Sequence, residues 1–355
     1  MVRRDLKSDH VGIRVDPDYG GLVLDVVRQA PPGLMLENFG FGCTRLVRGG
    51  EPLLWARVGP QYQGLWFLRR REVAPAAILP PIQAHEARSI TTPSGWMKWF
   101  LRGLEASQNT PWYAGEWNLT ELRQQKGSAS HLARGKVPDI FLPVNRDSWP
   151  SFVYGLRGAL DVARVHYESW MINGSGAVIP LREPSPSDAS RVKAWRKHAR
   201  DGTLPPALLW WVTAFDAYVL IDGHDRLVAA QSEGVQPSAI GLWASETPDE
   251  EEVKPWRRFE DERYQTVFAH EESLSPLTRA QTNDRLVRAY DIHTLRSSKA
   301  RFVRDGIDEW LADAARELED SPGALTKLGV VRDETGLRFG EWERGATGPN
   351  RSRHG

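Results

Sequence analysis

Hydrophobic and polar positions alternate with a short period at the start of the chain and with a longer one further along. Residues 11–15 alternate apolar and polar, and a longer apolar run, 22–27, follows Gly20-Gly21. Leu46-Val47, residues 53–58 and residues 65–68 come next, set apart by Gly49-Gly50-Glu51-Pro52 and Gly59-Pro60. Short apolar runs punctuated by Gly and Pro predict hairpins in an antiparallel sheet. Phe39-Gly40-Phe41-Gly42-Cys43 lacks the strand-to-helix setting of a dinucleotide loop and reads as a tight turn. Residues 74–95, rich in Pro and Ala, read as a linker or arm. Residues 94–107 follow as a short helix, with Trp96, Trp99, Phe100 and Leu104 at near-helical spacing. Trp112, Tyr113 and Trp117 read as the seat of that arm on a domain. The spacing predicts a strand over 138–144 and a helix over 151–170, striped by Val153, Leu156, Leu160, Val162, Val165 and Tyr167. Residues 274–319 read as helical, with Val303, Ile307, Trp310, Leu311 and Ala314 on one face.

The most informative pattern lies between 205 and 243. Two apolar runs, 207–212 and 218–221, are too short for free-standing helices and rich in Leu, Trp, Val, Ile and Tyr, so they predict adjacent buried strands. Asp222-Gly223 ends the second. Leu227, Ala230 and Gln231 then fall at helical spacing, Gly234 supplies a stop and Pro237 lies just beyond. Residues 239–243 form a further apolar segment. The unit reads strand, strand, polar turn, helix, strand. Chemistry could sit in the turn, because Gly223 lets a backbone come close to a ligand and a helix start offers unpaired N–H groups. Arg226 adds a two-pronged donor, and the set suits a phosphate or carboxylate. The alternative from the same residues is a surface turn in which Asp222 or Asp225 caps the helix and Arg226 pairs with a neighbouring acid.

The run Tyr218-Val219-Leu220-Ile221-Asp222-Gly223-His224-Asp225-Arg226-Leu227-Val228-Ala229-Ala230, with Gly234 and Pro237 behind it, resembles the ParB/sulfiredoxin superfamily. Upstream, residues 177–181 look like that family's opening strand. Gly202-Thr203-Leu204-Pro205-Pro206 looks like its entry to the second strand, with a helix over 186–200 between them, capped by Ser185 or Ser187. The resemblance covers about 174–245. It implies an α+β fold: a ParB/sulfiredoxin-like mixed α/β module flanked by a β-rich N-terminal region and a helical C-terminal one. It also implies ATP, ADP or CTP as ligand, with Mg²⁺. Phosphate would be held at Gly223, His224, Asp225 and Arg226, with Asp222 as metal ligand. Asp222, His224 and Glu183 would be catalytic, Glu183 matching the base of the fold's free-serine kinases. The chain departs from the family in two places. His224 stands where sulfiredoxins have their catalytic Cys, so that chemistry is absent. Asp225 replaces an Arg of the partition proteins and the second His of the commonest motif, which adds negative charge beside the phosphate site.

The resulting division is 1–73, β-rich; 74–110, linker or arm; 111–248, the module with a preceding helix; 249–343, helical; and 344–355, a disordered tail. Acidic 246–252 reads as a linker. Charge alters this picture little. Forty-six basic and 46 acidic residues cancel, which removes a global electrostatic case for DNA or anionic membrane. The basic stretch 122–136 and Arg69-Arg70-Arg71 read as solvated surface. Cys43, the single cysteine, excludes an internal disulfide framework and fits a reducing cytoplasm. No run approaches the ~18 apolar residues of a membrane span, and the first ten residues lack a signal's apolar core. There is no P-loop, nucleophile elbow, EF-hand loop or internal repeat, and His85-Glu86 has no partner His. The expectation is a cytoplasmic, bacterial-type nucleotide-binding protein, with phosphoryl transfer or NTP hydrolysis as its chemistry, acting as a kinase or NTPase. The alternatives are a nucleotide-gated DNA-binding or regulatory protein, disfavoured by neutral charge, and a non-catalytic protein that binds a protein partner.

Overall fold

The computed structural model describes residues 10–14, 21–27, 31–58, 64–70, 77–122, 163–166, 178–182, 184–215, 217–246, 294–295, 298–318, 330–333 and 336–339. Its elements are β1 (His10–Arg14), β2 (Gly21–Val27), β3 (Leu34–Gly40), β4 (Cys43–Arg48), β5 (Glu51–Val58), β6 (Gly64–Arg69), α1 (Ala84–Ser89), α2 (Pro93–Ala106), β7 (Gly115–Leu122), β8 (Ala163–His166), β9 (Val178–Pro180) and α3 (Ser190–Arg200). There follow β10 (Ala207–Val212), β11 (Ala217–Asp222), α4 (His224–Ser232), β12 (Ala239–Glu246), β13 (Thr294–Leu295), β14 (Ala300–Phe302), α5 (Ile307–Glu317), β15 (Val330–Asp333) and β16 (Gly336–Phe339). The chain is therefore of mixed α+β class, as its patterning predicts.

The larger sheet runs β1-β2-β7-β12-β10-β11-β9, with β13 also paired to β12. All six residues of β10, Ala-Leu-Leu-Trp-Trp-Val, are buried, which is why its sequence is a continuous apolar run rather than an alternating one. It pairs parallel with β12 and antiparallel with β11. The order strand, strand, turn, helix, strand read from residues 205–243 is the order found. The intervening helix is shorter than its sequence suggests. It starts at Ser190 behind Ala189, without a side-chain cap from Ser185 or Ser187.

The second sheet runs β14-β3-β4-β5-β6-β8. Its strands obey a period of two. Leu54, Ala56, Leu65 and Phe67 join the main core, while Trp55, Trp66 and Leu68 face the other way, onto Trp310, Leu311 and Ala314 of α5. Trp310 is fully buried and its indole N–H donates to the Thr44 carbonyl at 2.9 Å. Beside it, buried Arg45 donates to Glu37 (2.7 Å), Glu309 (2.8 Å) and Asp313 (2.6 Å), and Arg301 of β14 pairs with the same Glu37. α5 is thus fastened by its apolar face and by charge.

The helix read over residues 94–107 is α2, and several other expectations change. The segment before it, read as linker or arm, carries a further helix, α1. Thr92 caps α2 by accepting from the Gly95 amide at 3.1 Å, with Pro93 preset for the first turn. Trp96, Trp99, Phe100 and Leu104 of α2 are buried in the main core, and Trp99 donates to Glu86 at 2.8 Å, tying α1 to α2. The boundary at 73 is crossed by hydrogen bonds, since β1 and β2 belong to the module's own sheet through β7. β7 escapes the sequence reading because Asn118 and Thr120, though buried, make its alternation look like that of a surface segment. The anticipated helix over 151–170 holds strand β8, recruited by the edge of β6. The C-terminal region carries strands β13 to β16 besides α5, so it is not uniformly helical. Residues 138–144, 249–293 and the tail 344–355 lie outside the described residues. No helix among the described residues is long and apolar enough to cross a membrane.

Replacing Trp310 with Ala should cost about 3–5 kcal/mol, the range for truncating a large buried aromatic. Urea denaturation would register this as a lower midpoint at unchanged slope. An unaltered midpoint would show that α5 is not docked on the second sheet.

Candidate functional site

The β11–α4 turn is shaped by contacts that leave little freedom. Gly223 adopts φ 106°, a left-handed conformation closed to most side chains, and a Cβ there would lie 2.9 Å from the Ala207 backbone of β10. Glycine is required by the fold of the turn and by the strand behind it, not by an approaching ligand.

Arg226 follows the more modest of the two sequence alternatives. Only 3% exposed, it donates to the Asp222 carboxylate at 2.7 Å and to the Pro206 carbonyl at 2.9 Å. Its guanidinium carbon lies 5.9 Å from the centre of the Trp195 ring, within the range of a cation–π contact. Asp222 and Arg226 form an i,i+4 pair across the turn that holds α4 against the entry to β10. Arg226 does not line the nearby cleft. The expected phosphate ligand is therefore an internal clamp, because a buried guanidinium finds its counter-charge inside the protein.

A cleft of about 280 Å³ opens beside this clamp. Leu181, Arg182 and Ser185 after β9, Arg191 of α3, Ile221 and Asp222 of β11, and His224 and Asp225 of α4 line it, with Ala77 and Ile78 from the segment before α1. Of the residues singled out from sequence, Asp222, His224 and Asp225 meet there, whereas Gly223 and Arg226 stand behind the wall. Glu183 lies outside the described residues.

Asp225 is the hub of the cleft. Its carboxylate, 3% exposed, accepts the Ser185 amide at 2.8 Å. Arg182 and Arg191 reach the same carboxylate oxygen at 3.4 and 3.2 Å. Burial pushes the carboxyl upward, but the Ser185 amide and the two guanidinium groups outweigh it and hold it below the ordinary carboxylate range. Neither Asp222 nor Asp225 caps α4 through its side chain.

His224 is buried, and its Nε2 accepts the Arg182 amide at 3.4 Å. Burial, then the charges of Arg182, Arg69, Arg226 and Arg191, hold the imidazole well below its ordinary range. It is neutral at physiological pH. Arg182 and Arg191, the cations that face the cleft, were not singled out from sequence. They lie outside the recognisable motif, and only the pairing of β9 with β11 brings their segment to the α4 turn.

A metal-binding role for Asp222 gains nothing here, since its Oδ2 accepts from Arg226 and no cluster of three or more His, Cys, Asp or Glu suited to a metal occurs among the described residues. Cys43 offers no second centre. It is buried on the far sheet, and burial, only partly opposed by Arg57, pushes its thiol up to about 12. Comparison with protein-family models, with curated proteins and with solved structures returns no match.

Two outcomes are expected. Arg226→Ala should destabilise the protein by about 3 kcal/mol, at the lower end for breaking a buried pair because Asp222 keeps 24% exposure. A thermal melt unchanged from the parent would contradict the clamp. The second concerns pH. The unfolded chain binds a proton at His224 near pH ~6.5, while the folded protein resists doing so. Stability should therefore be full above about pH 7 and fall as pH drops below that unfolded value. His198, depressed in the same direction by burial and Arg88, adds to the slope. Equilibrium unfolding of His224→Gln between pH 7 and 5 should show a shallower loss than the parent, and an identical slope would remove His224 from the account.

Proposed function

We propose that the chain is a nucleotide-binding protein of ParB/sulfiredoxin-like architecture whose cleft grips phosphate through Arg182 and Arg191. The observation that carries this reading is their convergence at 3.4 and 3.2 Å on one carboxylate oxygen at the start of α4. An oxygen anion is thus already accommodated where two fork-shaped donors meet, and a phosphate oxygen presents similar geometry and charge. Leu181, Ile221 and Ile78 supply an apolar wall, suited to the flat part of a nucleotide, such as that of ATP, ADP or CTP. The architectural half of the proposal rests on the Asp-Gly-His-Asp-Arg turn and on the strand order β12-β10-β11-β9 around it.

This reading moves the phosphate ligands from the helix start to the segment after β9. Gly223 and Arg226 become the frame that sets the turn, and Asp222, His224 and Asp225 face the ligand. For phosphoryl transfer or nucleotide hydrolysis, the proton acceptor in the cleft is the neutral imidazole of His224 or the Asp222 carboxylate, either of which would activate a hydroxyl or water. Mg²⁺ would enter with the nucleotide phosphates, as that ion commonly does.

Titration calorimetry against ATP, ADP and CTP tests the reading directly. Arg182→Ala and Arg191→Ala should each weaken binding by about 1.5–3 kcal/mol, the scale of a hydrogen bond to a charged group, or roughly 10–150-fold in Kd. Binding heats that survive both substitutions, or a parent protein that binds no nucleotide, would overturn it.

A further inference from the structure

We propose that Asp225 is the charge filter of the cleft, making it prefer ligands that carry a single phosphate group over polyphosphate chains. The inference rests on the phosphate-binding reading above and narrows it to a ligand class, phosphomonoesters such as nucleoside monophosphates.

Two independent features lead there. The first is charge. The cations facing the cleft, Arg182 and Arg191, both contact Asp225 Oδ2, so their field is partly cancelled before any ligand arrives. Asp225 cannot readily turn away, because its other oxygen accepts the Ser185 amide at 2.8 Å and the residue is 3% exposed. Asp222, the second carboxylate of the lining, is also pinned, through its bond to Arg226 at 2.7 Å. One phosphate group can share Arg182 and Arg191 with Asp225. A second or third phosphate would bring further negative charge against the fixed Asp225 carboxylate without meeting another cation of the described lining.

The second feature is size. A cleft of about 280 Å³ falls just under the roughly 300–1,000 Å³ of ordinary small-molecule sites. Neither feature depends on the other, and both favour the shorter ligand. Arg191 is 55% exposed at its side chain, so it is the arm that would swing from Asp225 to an incoming phosphate, while Arg182, at 24%, stays closer to the wall.

The test is a calorimetric series of AMP, ADP and ATP, measured in EDTA so that no cation masks the phosphate charge. The parent should bind AMP at least tenfold more tightly than ATP, with ADP between them. Asp225→Asn keeps an oxygen acceptor for the Ser185 amide and removes the charge, and it should tighten ATP at least tenfold while changing AMP less. Asp188→Asn, at an exposed position outside the cleft, removes an equal charge and should leave the order AMP, ADP, ATP intact. ATP binding the parent as tightly as AMP would overturn the filter while leaving phosphate binding itself intact. So would an Asp225→Asn protein with the parent's order of affinities. Absence of binding by all three nucleotides, both in EDTA and when the series is repeated with Mg²⁺, would overturn both readings. The series on the parent alone decides the matter if Asp225→Asn does not fold.

Discussion

A guanidinium buried to 3% exposure has to be satisfied from within, and in this protein that requirement organises the turn where chemistry would sit. Arg226 meets it at Nη2, which donates to Asp222 and the Pro206 carbonyl while its buried Nε finds no partner among the described residues, and in doing so binds the end of β11, the start of α4 and the entry to β10 into one unit. The positive φ of Gly223 and its contact with Ala207 belong to the same arrangement. Because Arg226 is committed inward, any cation offered to a ligand must come from elsewhere in the chain. The β9–α3 segment places Arg182 and Arg191 along the cleft.

Other charges of α3 and α4 are paired as well. Arg182 and Arg191 converge on Asp225, while Arg196 and Arg200 of α3 share Glu233 at the end of α4. The two helices are therefore joined by ion pairs at both ends, with Val192 and Trp195 of α3 and Leu227 of α4 in the core between. Pairs with an exposed partner contribute little to stability. Their value here is geometric, since they fix the spacing of α3 and α4 and so the width of the cleft. The same logic recurs on the second sheet, where Arg45 gathers Glu37, Glu309 and Asp313 and sets the position of α5.

The frame around the cleft is built from distant parts of the chain. β7 pairs with β2 on one side and β12 on the other, so a strand from the N-terminal region and one from the recognisable module share a ladder. α2 lies over β2 and β7, and Ile78, just ahead of α1, reaches the cleft itself. A segment whose Pro- and Ala-rich composition suggests an arm thus closes one wall of the site.

Residues 205–243 were legible because each element there is signalled locally. Six consecutive apolar residues mark β10, Asp222-Gly223 marks the turn, and Gly234 marks the end of α4. The apolar face of α5, Trp310, Leu311 and Ala314, was equally plain. β7 and β8 were not, because a strand with buried Asn118 and Thr120, or one of four residues, is specified by the neighbour it pairs with rather than by its own pattern. The site divides along the same line. Sequence by itself determined that a glycine turn, a histidine, two aspartates and an arginine would gather at the start of one helix. Tertiary structure alone decided that Arg226 points inward and that Arg182 and Arg191 face the cleft, because a side chain's counter-charge is chosen by what the sheet brings next to it, and sheet pairing joins residues that lie far apart in the chain.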